Sequence, residues 1–104
     1  MLSNEMKVGY YMFEIPRVNV IQSDEGFSVE VLGRTGLLYT EGSRSLHIDS
    51  EVLAGPSGLV IYTNSIRSWN PPHDNEAIDK SKRDAIVENV RRAFRFRGLE
   101  IEIA

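Results

Sequence analysis

Short alternations of apolar and polar residues fill the first two thirds of the chain, and one helical stripe fills most of the rest. Val18-Asn19-Val20-Ile21 reads as a strand, and the Ser23-Asp24-Glu25-Gly26 segment after it has the composition of a hairpin turn. The return strand runs from Phe27 to Leu32, with Phe27, Val29 and Val31 on one face and Ser28 and Glu30 on the other. Gly33 and Gly36 bracket the next turn, and a strand through Leu37, Leu38 and Tyr39 meets a tight turn at Glu41-Gly42-Ser43. Leu46 and Ile48 then alternate with Ser45, His47 and Asp49. Pro56, set between Gly55 and Gly58, lacks the donor a ladder needs, so the chain turns there before the continuous apolar run Leu59 to Tyr62.

The period then changes. Ile86, Val87, Val90, Ala93 and Phe94 fall on one side of a helix that starts at Asp79 as N-cap and continues to Arg97. Gly98 reads as the C′ glycine that stops it, with Leu99 as its apolar partner. Leu99 to Ile103 alternates again, apolar on one face and acidic on the other. This order predicts an α+β fold: a curled, mainly antiparallel sheet of about six strands packed on one C-terminal amphipathic helix, followed by a final strand. Residues 18–104 are expected to form a single domain. Residues 1–17 are expected to be a flexible extension, with Met6 and Met12 as alternative starts.

Composition narrows the possibilities. The chain has 104 residues and no cysteine, which excludes zinc ribbons, thiol catalysis and a disulfide framework, and favours a reducing compartment. Glu5, Lys7 and Glu14 interrupt any signal-peptide run near Tyr10 to Phe13, and no segment has the length of a membrane helix, so a cytoplasmic location is expected. The net charge is −3 and unevenly spread: Lys plus Arg number 4 against 8 Asp plus Glu in residues 1–52, and 8 against 7 in residues 53–104. So small a charge neither implies a nucleic-acid partner nor rules out an acidic decoy surface.

Candidates for chemistry are few. His47 stands on a strand face and His73 in a proline loop, and, as an isolated histidine lacks the orienting partner that catalysis or metal binding requires, both read first as surface residues. Glu100 and Glu102 share a strand face as an acidic strip, which also suits a protected sheet edge. Arg91, Arg92, Arg95 and Arg97 suggest RNA, yet they also suit the negative end of the helix dipole. Arg44 and Glu51 are expected to pair across a turn. The segment Trp69-Asn70-Pro71-Pro72-His73-Asp74 carries the only tryptophan on what reads as a stiff, extended loop. Trp69 there either plugs the core edge or joins Asn70, His73 and Asp74 in a contact surface.

Several of these residues recur in one pattern. Tyr39-Thr40-Glu41-Gly42-Ser43-Arg44, then Ile48-Asp49-Ser50-Glu51 with Leu53, then Ile61-Tyr62, Ile66 and Trp69-Asn70-Pro71-Pro72, then Arg83, Ile86, Asn89-Val90 and Gly98-Leu99-Glu100-Ile101 resemble immunity protein 74. That family consists of small bacterial proteins associated with polymorphic toxin systems, and the resemblance extends over roughly Val18 to Ile103. It implies a cytoplasmic, non-enzymatic protein that binds and occludes the toxin domain made by its own cell, often a nuclease. The partner would be that toxin, without cofactor, metal, nucleic acid or membrane, and weak self-association is compatible with the reading. The partner-binding candidates are Trp69, Asn70, His73 and Asp74, with Glu100 and Glu102 as a second surface. The alternatives are a small hydrolase or nuclease using His47 or His73 with a nearby carboxylate, and an RNA-binding module working through the helix arginines.

Overall fold

Seven strands form one curled sheet in which every spatial neighbour is also a sequence neighbour. A computed structural model of the chain describes residues 12–54 and 58–104. The strands are β1 (Phe13–Arg17), β2 (Val20–Ser23), β3 (Phe27–Val31), β4 (Gly36–Glu41), β5 (Arg44–Val52), β6 (Leu59–Ile61) and β7 (Ile101–Ile103), and the helix α1 spans Lys80–Phe96 between β6 and β7. All pairings are antiparallel except β6 with β7. That exception follows from the connection, because a loop and a returning helix bring the chain back to start β7 in the same direction as β6.

Strand alternation sets which face is buried. Phe27 and Val29 on β3, Leu37 and Tyr39 on β4, Leu46 and Ile48 on β5, and Leu59 and Ile61 on β6 join one core with Ile86, Val87, Val90, Ala93 and Phe94 of α1. The predicted stripe is therefore the buried face of the helix. Ser28, Thr40, Ser45, His47 and Glu51 fall on the alternate positions of their strands, half-buried or exposed. None of the described helices is long and apolar enough to cross a membrane.

The helix ends are fixed as the sequence predicts. The Asp79 carboxylate accepts from the Lys82 amide at 2.8 Å, satisfying one of the orphan donors of the first turn. At the other end the Gly98 amide donates to the Arg95 carbonyl and the Leu99 amide to the Phe94 carbonyl, both at 2.9 Å, with Gly98 at φ +81°. This paired closure demands a left-handed residue at position 98. Gly98→Val is therefore expected to lower stability by about 1 kcal/mol or more, read as a drop in melting temperature. An unchanged melting curve would mean the cap does not hold the helix end.

Three expected boundaries are corrected. The sheet begins at Phe13, not Val18, so residues 13–17 of the expected extension are β1, with Phe13 only 4% exposed. The rest of that extension, 1–11, lies outside the described residues. Pro16 and the charges around it hid an edge strand, where a missing donor is tolerated. Val18 and Asn19 form the turn before β2 rather than its start. The last strand begins at Ile101 instead of Leu99, because the Leu99 amide is committed to closing the helix.

Candidate functional site

Antiparallel succession sends the β2–β3 and β4–β5 turns to one end of the sheet, and the β1–β2, β3–β4 and β5–β6 connections to the other. Trp69 lies at the first of these ends. Its segment is not the stiff, extended loop expected from two prolines. The Asn70 carbonyl accepts from the His73 amide at 2.9 Å and the His73 carbonyl from the Glu76 amide at 3.0 Å, so two successive turns fold the loop back. A bridge between Ser68 and Ala77 closes its neck. The Asn70 amide donates to the Ser45 carbonyl at 2.7 Å, and its side chain donates to the Ser45 hydroxyl at 3.2 Å, fastening the loop to the start of β5.

The tryptophan points inward from this loop. Trp69 is 6% exposed and its ring stacks on Tyr39 with 6.4 Å between centroids, while Tyr39 in turn stacks on Phe27 at 5.8 Å. Of the two roles weighed for Trp69, the structure gives it the core. The Tyr39 hydroxyl donates to Glu41 Oε1 at 2.7 Å and accepts from the Asn89 side chain at 2.9 Å. Lys82 donates to the other oxygen of Glu41. Beside this chain, Arg44 grips Glu76 with two bonds, at 2.8 and 3.1 Å, and His73 Nδ1 lies 3.2 Å from the same carboxylate.

The electrostatics follow from these contacts. Burial works to raise the Glu41 carboxyl, but bonds from Lys82 and Tyr39 and the charges of Lys82 and Arg44 outweigh it, holding the group below its ordinary value. The bond from Arg44, then that from His73, holds Glu76 low as well. Burial first, and the bond to Glu41 second, push the Tyr39 phenol up, so it stays protonated and able to donate. Carboxylates lowered in the folded state supply stability that is complete above their unfolded value of 4.5 and is lost as pH falls through the folded values. Melting temperature is therefore expected to stay level from neutrality down to about pH 5 and to decline below it. In Glu76→Gln that acid decline should be shallower, and an equally steep decline would remove Glu76 from the cause.

Other expected site residues lie apart from this cluster. Asp74 is exposed and has no hydrogen-bond partner among the described residues. Glu100 stands before β7 rather than within it and pairs with Arg95 at 3.2 and 3.4 Å, so it does not share a strand face with Glu102. Glu102 is exposed on β7, in register with Val60, which is itself in register with Glu51 near the far end of β5. The Trp69 loop, fastened at the opposite end of that strand, does not meet this acidic edge. Arg44 and Glu51 do not pair: they lie at opposite ends of β5, and Glu51 accepts from the Tyr62 hydroxyl at 2.6 Å.

The residues considered for the alternative functions are also engaged. His47 Nδ1 lies 3.3 Å from Asp49, and its ring packs against Gly36, where a β-carbon would collide with Nε2. Arg91 bonds Glu88, Arg92 bonds Glu25 through both terminal nitrogens, and Arg95 bonds Glu100. Among the described residues, no group of three or more histidine or carboxylate side chains is placed to hold a metal ion. Sequence reasoning missed Glu76, Lys82 and the Tyr39 to Asn89 bond. The available signal was spacing, since Tyr39 and Glu41 share a strand face and Lys82 and Asn89 are two helical turns apart.

Tyr39, Glu41, Arg44, Trp69, Asn70 and Asn89, all part of the pattern noted in the sequence, are thus brought together at one end of the domain by stacking and hydrogen bonds. A family model described as Immunity protein 74 matches residues 28–104, beginning at Ser28 rather than near Val18. No curated protein and no solved structure matches the chain. With the match spanning β4 through β7 and every residue of that cluster, the chain belongs to the Immunity protein 74 family.

Proposed function

We propose that this protein binds and neutralises a toxin domain produced by its own cell, in the cytoplasm, by covering the toxin's working surface. The observation that carries this reading is the mutual neutralisation of the charged residues around Trp69. Arg44 is committed to Glu76, Lys82 to Glu41, and the Tyr39 hydroxyl to Glu41 and Asn89. A catalytic centre needs a nucleophile, base or metal site left open to substrate, whereas these groups hold one another. Family membership supports the same direction. The protein then acts through its exterior, and the toxin supplies the chemistry being blocked.

The test starts from the neighbouring genes and co-expresses this chain with the C-terminal domain of any large secreted protein encoded beside it. Cells carrying both genes should grow, cells carrying only the toxin domain should not, and the purified pair should form a complex with affinity on the order of nanomolar. Absence of both rescue and complex ends the reading. Cleavage of nucleic acid or ester by the purified chain, abolished in His73→Ala, would replace it with an enzyme. RNA affinity falling steeply with added salt would replace it with a nucleic-acid binder.

A further inference from the structure

Of the seven large apolar side chains exposed among the described residues, four share one end of the sheet, and Ile15, Phe96 and Ile103 lie elsewhere. Val18 (83% exposed), Leu32 (50%), Val52 (42%) and Leu99 (40%) all stand at the end of the sheet opposite Trp69. Hydrogen bonds tie neighbouring segments together at that end. Arg97 donates to the Val18 carbonyl at 3.1 Å, the Val31 amide donates to the Asn19 carbonyl at 2.9 Å, and the Val52 amide donates to the Arg34 carbonyl at 3.1 Å. Leu99 lies against Gly58, at 3.4 Å from where a β-carbon would stand. Between the β1–β2 turn and the end of α1 is a groove of about 260 Å³ lined by Val18, Ile21, Val31, Phe94 and Leu99, with Asn19 and Arg97 as its polar members.

Grouped apolar surface with polar residues at its margin is what protein interfaces present. The charges at this end indicate what kind of protein fits. Arg34 has no carboxylate partner among the described residues, and Arg97 bonds only a backbone carbonyl. The acids at this end are engaged as well: Glu30 accepts from Asn19, Glu51 from the Tyr62 hydroxyl, and Glu100 is held by Arg95. The end therefore offers an apolar floor beside which Arg34 and Arg97 lack carboxylate partners among the described residues, in contrast to the Trp69 end, where Arg44 and Lys82 are neutralised. A second copy docked about a two-fold axis would set Arg34 or Arg97 against its own like charge wherever that residue lies at the axis. A different protein with carboxylates beside an apolar projection meets no such opposition.

We propose that the end bearing Val18, Leu32, Arg34, Arg97 and Leu99 is the surface that grips the toxin, and that the toxin presents an apolar projection flanked by acidic side chains. This rests on the neutraliser reading above. The β1–β2 turn contributes Val18 from outside the span of the family match, while the other four residues lie within it.

Because the chain contains no cysteine, one introduced thiol reports one position. Val18→Cys and, at the opposite end, Asp74→Cys are labelled with a maleimide in the full chain, alone and with an excess of the inactivated toxin domain that the co-expression test identifies. Labelling of the first should slow by about tenfold or more in the complex, and labelling of the second should barely change. Leu32→Glu with Arg34→Glu, both exposed, should weaken the complex by about a hundredfold or more with the melting curve preserved. Protection of position 74 with none at position 18 overturns the proposal and leaves neutralisation standing. A thiol at position 18 already protected in the free chain also overturns it. Loss of that protection on dilution assigns the end to a second copy, and persistence assigns it to the chain's own first eleven residues. No complex and no rescue of growth would instead remove the neutraliser reading itself.

Discussion

Trp69→Ala is expected to lower the stability of the domain by about 3 to 5 kcal/mol, the largest effect of any single truncation considered for this chain. The indole is 6% exposed, stacked on Tyr39, and carried by a loop whose neck is a single bridge between Ser68 and Ala77. Its removal costs the transfer free energy of a large aromatic side chain and leaves a cavity that the surrounding residues fill only in part. For a domain of this size each kcal/mol lowers the melting temperature by about 4 °C or more, so thermal denaturation reads the effect directly. Asn70→Ala, which removes one bond to Ser45 and leaves the backbone bond in place, should cost about 1 kcal/mol. If Trp69→Ala melts within about 1 kcal/mol of the parent chain, the indole does not hold the core.

Tryptophan beside prolines in a loop is compatible with two opposite placements, and the sequence contains nothing local that chooses between them. What decides it is β4, thirty residues earlier, whose Tyr39 provides the aromatic surface against which the indole stacks. Elements governed by local rules were legible. The helix stripe, the Asp79 cap, the Gly98 closure and the alternation of β3, β4 and β5 each depend on residues a few positions apart. The β1 strand was not legible, since one buried residue followed by Glu14, Ile15, Pro16 and Arg17 carries almost no period-2 signal.

Ion pairing was legible only where both partners lie on one element. Lys80 and Asp84 sit four residues apart on the helix and pair, as such spacing allows. Arg44 with Glu76, Lys82 with Glu41 and Arg92 with Glu25 span loops or the whole sheet, and only the tertiary arrangement creates them. The expected pairing of Arg44 with Glu51 failed for a geometric reason, because a single long strand holds its two ends apart. Several of the residues expected to form a contact surface also have internal partners that local sequence does not reveal. Residues selected for their chemical type, Trp69, Asn70 and His73, proved to be those the fold uses internally, while Val18 and Leu32, which had read as ordinary strand residues, stand in connections at the open end.

Tyr39→Phe is expected to cost about 2 kcal/mol at neutral pH, although it removes a single oxygen. The ring keeps its place between Phe27 and Trp69, so packing is preserved. What changes is the hydrogen bonding: the Asn89 side chain loses its acceptor and Glu41 loses one of its two donors. The carboxylate keeps Lys82 and is half-buried, so water recovers part of the loss there. The pH dependence distinguishes this account from a packing defect. With Tyr39 present, the Glu41 carboxyl is held below its ordinary value, which contributes stability at neutral pH that disappears as pH falls through its folded value, below 4.5. With phenylalanine, the carboxyl has less to lose, so the gap between the two proteins should narrow at about pH 3. A gap of equal size at both pH values would mean the hydroxyl acts through packing and not through the charge of Glu41. Combining Tyr39→Phe with Lys82→Met completes a cycle in which the two losses should fall short of additive by about 0.5 kcal/mol or more, because both substitutions withdraw donors from the same carboxylate.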